Sequence, residues 1–285
     1  MLGKLFAMIK KHFVFLLIIL LSLGGVSAYA QKKTGDTTPR KYRKLKTKEA
    51  KFAAAKAYFE KGQYLSAADL FERVYPLYMG SEQGDSILFL FADCYYRNGD
   101  YLMAAFHFND FTRKYPFSPR TEEAAFLAAK AHYMNVPGYN LDQTDAQLAK
   151  EGLETFLESY PQSRYSNECN AMLDTIRDQL AHKAYAIAYM YYNIGQYAAA
   201  QIAYKNLMKD YPGSAYTEKA LFDLVNNCYE YAEKSIPAKQ AERYQQAVDW
   251  HRQLEAKFPQ SAHLAESGRI AEKASQKRDH ILTSK

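Results

Sequence analysis

An aromatic residue followed seven positions later by another recurs along this chain at nearly constant intervals, and that recurrence limits what the chain can fold into. The pairs are Phe52/Phe59, Phe89/Tyr96, Phe126/Tyr133, Tyr185/Tyr192 and Phe222/Tyr229. Seven residues make about two helical turns, so both members of a pair lie on one helical face. Successive first members are 37, 37, 59 and 37 residues apart. A period in that range specifies stacked helical hairpins, each needing its neighbours to bury a continuous core.

A second marker keeps the same frame. Tyr115-Pro116, Tyr160-Pro161, Tyr211-Pro212 and Phe258-Pro259 each close a helical stretch, and each is followed by x-Ser, at Ser118, Ser163, Ser214 and Ser261. Proline ends the helix, and the serine is expected to cap the next one. From the first aromatic to this Tyr or Phe is 26 residues in the second and fourth units, 34 in the third and 36 in the fifth. The long units are therefore expected to carry insertions, at Asn135–Asp142 and around Ser235-Ile236-Pro237-Ala238.

Within the units, Ala55, Tyr58, Gly62, Tyr64, Ala67 and Phe71 are matched by Ala92, Tyr95, Gly99, Tyr101, Ala104 and Phe108, and by Ala188, Tyr191, Gly195, Tyr197, Ala200 and Tyr204. This is a tetratricopeptide pattern, with glycine turning the chain and alanine letting the paired helices approach. The 59-residue interval exceeds 37 by the insertion of eight and a further 14 residues. Those 14 fall in 167–195, which lacks proline and internal glycine, so one long helix is predicted there. The fold class is thus all-α: a right-handed solenoid of five hairpins, a long helix linking units three and four, and a capping helix from about Ala262 to Ile281. The expected organisation is 1–30 signal peptide, 31–48 basic leader, 49–166 N-terminal half, 167–195 connecting helix and 184–285 C-terminal half with cap.

The start of the chain has its own logic. Lys4, Lys10 and Lys11 precede the apolar run Phe13–Leu23, which is broken at Gly24-Gly25 and ends in Ala28-Tyr29-Ala30. That is the layout of a secretory signal peptide, with cleavage expected between Ala30 and Gln31; an uncut anchor is the alternative. The remainder carries 37 − 3 = 34 bases against 31 acids, a balance of +3 that does not suit nucleic acid. Lys32 to Lys51 holds nine bases against Asp36 and Glu49 and reads as a solvated leader able to lie near an anionic membrane. Three cysteines, Cys94, Cys169 and Cys228, are far apart without C-x-x-C, and suit helix interiors rather than a disulfide framework.

Nothing in the sequence points to catalysis. Seven histidines are scattered singly, with no H-E-x-x-H, G-x-S-x-G, G-x-x-x-x-G-K-[ST] or G-x-G-x-x-G. Glu122-Glu123 sits where acids suit a helix start. No enzyme, cofactor, metal or small-molecule substrate is expected. The first helices of stacked hairpins line a groove, and the register places Phe52, Phe59, Phe89, Tyr96 with Arg97, Phe126 and Tyr133 towards it in the N-terminal half. Tyr185, Tyr189, Tyr192, Phe222 and Tyr229 do so in the C-terminal half. Such rows suit extended peptides or a partner domain; they equally suit packing between repeats, a tyrosine serving both through ring and hydroxyl.

From about residue 42 to 265 the chain resembles the BamD (YfiO, ComL) family of the bacterial outer-membrane β-barrel assembly machinery. The resemblance is carried by Tyr58–Tyr64, Cys94–Tyr101 and the Tyr/Phe-Pro-x-Ser signatures. Leu141–Thr144, Ser235-Ile236 and Glu242-Arg243 are similar to the Bacteroidetes-type members. It implies a periplasmic scaffold at the outer membrane. Units four and five would dock a POTRA domain of a BamA-type β-barrel insertase, and units one to three would receive segments of unfolded outer-membrane proteins. The chain departs from the family at the lipobox: Val26 stands where the lipidated cysteine should follow Leu23-Gly24-Gly25, so ordinary cleavage and no lipid are expected. The competing reading is another secreted tetratricopeptide adaptor that coordinates cell-envelope or peptidoglycan proteins; residues 31–51 are too short and proline-broken for the N-terminal coiled coil usual there.

Overall fold

The computed structural model describes residues 40–284 apart from Glu82. The expected signal peptide, its Ala30/Gln31 cleavage site and Val26 lie outside the described residues. Every described element is helical. After a single turn at Arg40–Arg43 come α1 (Lys48–Glu60), α2 (Tyr64–Val74), α3 (Gly84–Asn98), α4 (Tyr101–Lys114), α5 (Thr121–Met134) and α6 (Thr144–Ser159). Then follow α7 (Ser166–Asn193), α8 (Tyr197–Asp210), α9 (Tyr216–Glu233), α10 (Pro237–Lys257) and α11 (Leu264–Thr283). Odd and even helices pair into five hairpins, and α11 closes the stack on α9 and α10.

The turns inside units one, two and four are the same. Gly62, Gly99 and Gly195 have φ of 73°, 82° and 75°, a region that a side chain makes costly. In each, the glycine N–H donates to the carbonyl three residues back (Phe59, Tyr96, Tyr192) and the next residue's N–H to the carbonyl five back (Tyr58, Tyr95, Tyr191). This arrangement satisfies helix-end carbonyls that would otherwise be orphaned.

The junctions between hairpins also repeat, five times rather than four. The N–H of Ser118, Ser163, Ser214 and Ser261 donates to the carbonyl of the Tyr or Phe three residues before it, and the serine carbonyl accepts from the residue three further on. Tyr78-Met79-Gly80-Ser81 makes the same pair of bonds without a proline. The serine is not the helix cap that was expected. Its Oγ accepts the N–H two residues later, at Arg120, Tyr165 and His263. In two units it also donates back to a carboxylate at the start of its own hairpin: Ser118 to Asp85 at 2.8 Å and Ser163 to Glu122 at 2.6 Å.

Two further expectations are revised. The insertion expected around Ser235–Ala238 is mostly helix: α9 and α10 are long, and only 234–236 separate them, because Pro237 occupies the first turn of α10, where its missing N–H costs nothing. The basic leader expected to run to residue 48 is tied down earlier, since Tyr42 is buried and Leu45 packs against the first core. The core is otherwise a chain of clusters, one or two hairpins each, with Phe71, Phe108, Phe111, Phe156 and Tyr204 of the even helices fully buried. Burying each such side chain contributes roughly 1.5–3 kcal/mol.

Candidate protein-interaction surface

The seven-apart aromatics form a seam inside the hairpins. Phe52 packs on Phe71 and Tyr78, and Phe59 on Tyr64 and Phe71. Phe89 meets Phe108 and Phe111 edge-on at 5.4 and 5.6 Å, and Tyr96 meets Tyr101 and Phe108. Phe126 lies between Phe156 and Tyr165, Tyr185 between Tyr204 and Tyr216, and Tyr229 on Tyr244. Phe222 stacks on His263 at 4.5 Å. The open aromatic ribbon is therefore corrected. Phe89, Phe126 and Tyr185 are buried, and Phe52, Phe59, Tyr96, Tyr133, Tyr192, Phe222 and Tyr229 are half-buried, because these positions of an odd helix face the even helix of its own unit. Tyr189 and Arg97 are the exposed members of the expected set.

Cations rather than bare rings cover the seam from outside. Arg97 of α3 sits 5.2 Å from the ring of Phe59 in α1, and Arg120 sits 5.1 Å from Phe89. Lys219 of α9 lies 5.0 Å from Tyr185 in α7, and Lys277 of α11 lies 5.4 Å from Tyr229 in α9. Each comes from the hairpin or capping helix that follows, whereas Phe126 of unit three is covered at 5.5 Å by Lys130 of its own helix; such contacts are worth about 0.5–1 kcal/mol when exposed. Carboxylates hold two of these bases in place: Arg97 bonds Asp93 at 2.8 Å and Lys130 bonds Glu168 at 2.6 Å, each bond raising the base's pKa. The face is a row of paired charges and tyrosine edges, which can recognise polar backbone and side chains of another protein.

Two acids escaped the sequence reading. Asp223, buried in α9, accepts from Tyr185 at 2.6 Å and from Tyr204 at 3.2 Å. Burial raises its pKa, opposed by those two hydrogen bonds. One heptad on, Glu230 accepts from Tyr192 at 2.6 Å and Tyr197 at 3.0 Å. The signal was present: each acid follows its tyrosine by 38 residues, one more than the repeat, and the acids are themselves seven apart. Together they tie α7 to α9. Among the described residues, no three His, Cys, Asp or Glu side chains are grouped so as to hold a metal ion, and no helix is long and apolar enough to cross a membrane.

Five stacked hairpins with this turn chemistry define a tetratricopeptide-like helical solenoid, a class that presents surface to other proteins. The solved TPR repeats protein of Bacteroides fragilis is similar at 15% identity and a TM-score of 0.44, covering 81% of this chain and 99% of that one. The TPR2AB domain of yeast Sti1 gives 15% and 0.37 over 80% of this chain and 98% of that one. The YfiO family, described as outer membrane lipoprotein, matches residues 44–243, and the chain belongs to that family. The outer membrane protein assembly factor BamD of Caulobacter vibrioides is 33% identical over 86 residues, which are 30% of this chain and 28% of that protein.

Proposed function

We propose that this chain is a periplasmic scaffold of the outer-membrane protein assembly machinery, docking a BamA-type insertase through units four and five and receiving unfolded β-barrel segments along units one to three. The observation that carries it is membership of the YfiO family over residues 44–243, supported by the likeness to an assembly factor. The charged row over the seam is suited to a folded partner, and the half-buried tyrosines give it fixed shape. A C-terminally tagged chain, recovered from native membranes in mild detergent, should bring down a stoichiometric β-barrel protein bearing POTRA repeats. Truncation after Gln179 should abolish that association; recovery of only peptidoglycan enzymes or soluble envelope proteins would sink the proposal.

We also propose that the chain reaches the periplasmic face of the outer membrane without a lipid of its own. Its three cysteines are all buried within helices, with burial pushing the thiols of Cys94, Cys169 and Cys228 up to about 12, 11 and 12. A thiol so placed offers no site for acylation. Intact-mass measurement of the purified chain should show no diacylglyceryl addition.

A further inference from the structure

The long helix α7, together with Ile194 that caps its C-terminus, carries one apolar strip twice. Leu173, Ile176 and Leu180 recur fourteen residues later as Ile187, Met190 and Ile194. Two heptads bring a helical face back to nearly the same azimuth, so the two strips are collinear. The lower strip packs in the core with Ala146, Ala149, Leu153 and Phe156 of α6. The upper strip projects beyond α6 and is bare: Ile187, Met190 and Ile194 are 40%, 48% and 62% exposed.

The repeat shows what normally covers these positions. Two residues after the first aromatic stand Phe91, Ala128 and Leu224, and five after it stand Cys94, Ala131 and Asn227; all are buried. The elements lying against those odd helices are the even helices of the preceding units, α2, α4 and α8. In unit four the corresponding residues are Ile187 and Met190, and fourteen extra residues have carried them away from α6. The first described hairpin looks different. Unit one, the first hairpin among the described residues, has Ala54 and Ala57 at these positions, and Lys61 where unit four has Ile194. Unit four thus carries three large apolar side chains where unit one carries two alanines and a lysine.

We propose that Ile187, Met190 and Ile194 receive an amphipathic helix of a partner protein, seated where the second helix of a preceding hairpin would otherwise stand. Its chemistry is that of α6, whose apolar side chains against α7 fall at intervals of three, four and three residues. Three exposed apolar side chains on two turns fit a helix of modest length, held by side-chain contact rather than by backbone bonds. The partner is a different chain, because every even helix of this one already has its outer face against a following odd helix or α11. The residues ahead of Arg40 nearest the fold, Gln31 to Pro39, hold no large apolar side chain to fill the role. The inference stands on the repeat register and does not depend on the assembly role proposed above.

The test is photocrosslinking in the organism's own cells, with p-benzoylphenylalanine at Ile194 of the full chain and sequencing of the attached peptide. The expected product is a segment of another protein with apolar residues at helical spacing. Ile187→Asp with Met190→Asp should lower its yield at least tenfold while circular dichroism and Tm stay unchanged. Ile202→Asp, at an exposed site on α8, should leave the yield alone. Attachment to the first 39 residues, to a second copy, to phospholipid or to an extended segment would overturn the proposal, as would a yield no higher than from a probe at Ile202.

Discussion

At the scale of single residues, the buried carboxylate of Asp223 is the group on which most depends. Two tyrosine hydroxyls from two helices converge on it. Asp223→Ala would leave both unpartnered in the interior, at about 1–3 kcal/mol for each stranded donor. For a chain of this size each kcal/mol lowers Tm by roughly 2–4 °C, so calorimetry should show a clear drop. The Asn variant separates charge from hydrogen bonding. Because burial raises the pKa of Asp223 in the folded state, the folded chain holds more protons than the unfolded one between the ordinary carboxylate value, about 3.9, and the raised value. Stability from this group is thus complete below the ordinary value and lost as pH rises through the raised one. Relative to Asp223→Asn, the wild-type chain should gain stability on acidification through that window in urea titrations. Neither acid was legible from composition or motif. A lone Asp within Leu-Phe-Asp-Leu-Val reads as an interruption until its partner 38 residues earlier is known.

At the scale of elements, the hairpins were legible and their surroundings were not. Heptad aromatics and turn glycines show where helices begin, turn and end. They do not show which side faces water, because an odd helix packs both on its own even helix and on the even helix before it, and both faces are apolar. Hence the aromatic rows read as a groove lining turn out to be the seam. The junction at Tyr78–Ser81 escaped for a similar reason: it keeps the backbone bonds of the other four but has Met79 in place of proline. That junction also leaves no room for a side chain at its last residue, Gly84. A Cβ on Gly84 would lie 2.7 Å from the carbonyl oxygen of Tyr78 and 2.6 Å from the hydroxyl of Tyr115. Gly84→Ala should therefore destabilise by about 1–3 kcal/mol. Ser118→Ala, which removes the bond to Asp85 and the acceptor of the Arg120 N–H, should cost about 1–2 kcal/mol. Urea midpoints at constant slope would rank the two, and an unchanged midpoint for Gly84→Ala would contradict the close approach.

At the scale of the whole molecule, the 28-residue α7 sets the relation between the two halves. Its length was legible from the 59-residue interval, since no proline or glycine interrupts it. What spacing could not show was which copy of its apolar strip lies against α6 and which is left exposed. Removing residues 171–184 should restore the ordinary repeat, because Ile187, Met190 and Ile194 then inherit the places of Leu173, Ile176 and Leu180 against α6. The shortened chain should keep its helical content by circular dichroism and show a smaller radius of gyration by X-ray scattering. Loss of helicity would mean that the two strips are not interchangeable.

The same helix bears on how the molecule comes apart. Stacked repeats can melt one unit at a time, with the front between ordered and unfolded chain resting in a loop. Between the cores of units three and four the loop at 160–165 offers no such resting place, because the first half of α7 completes the unit-three core and its second half packs with α8; a front stopping between those cores would leave a helix end in mid-run, its carbonyls and amides uncapped on either side. Partial melting is thereby penalised at the centre of the array, and the two halves are coupled as one cooperative unit despite sharing little surface.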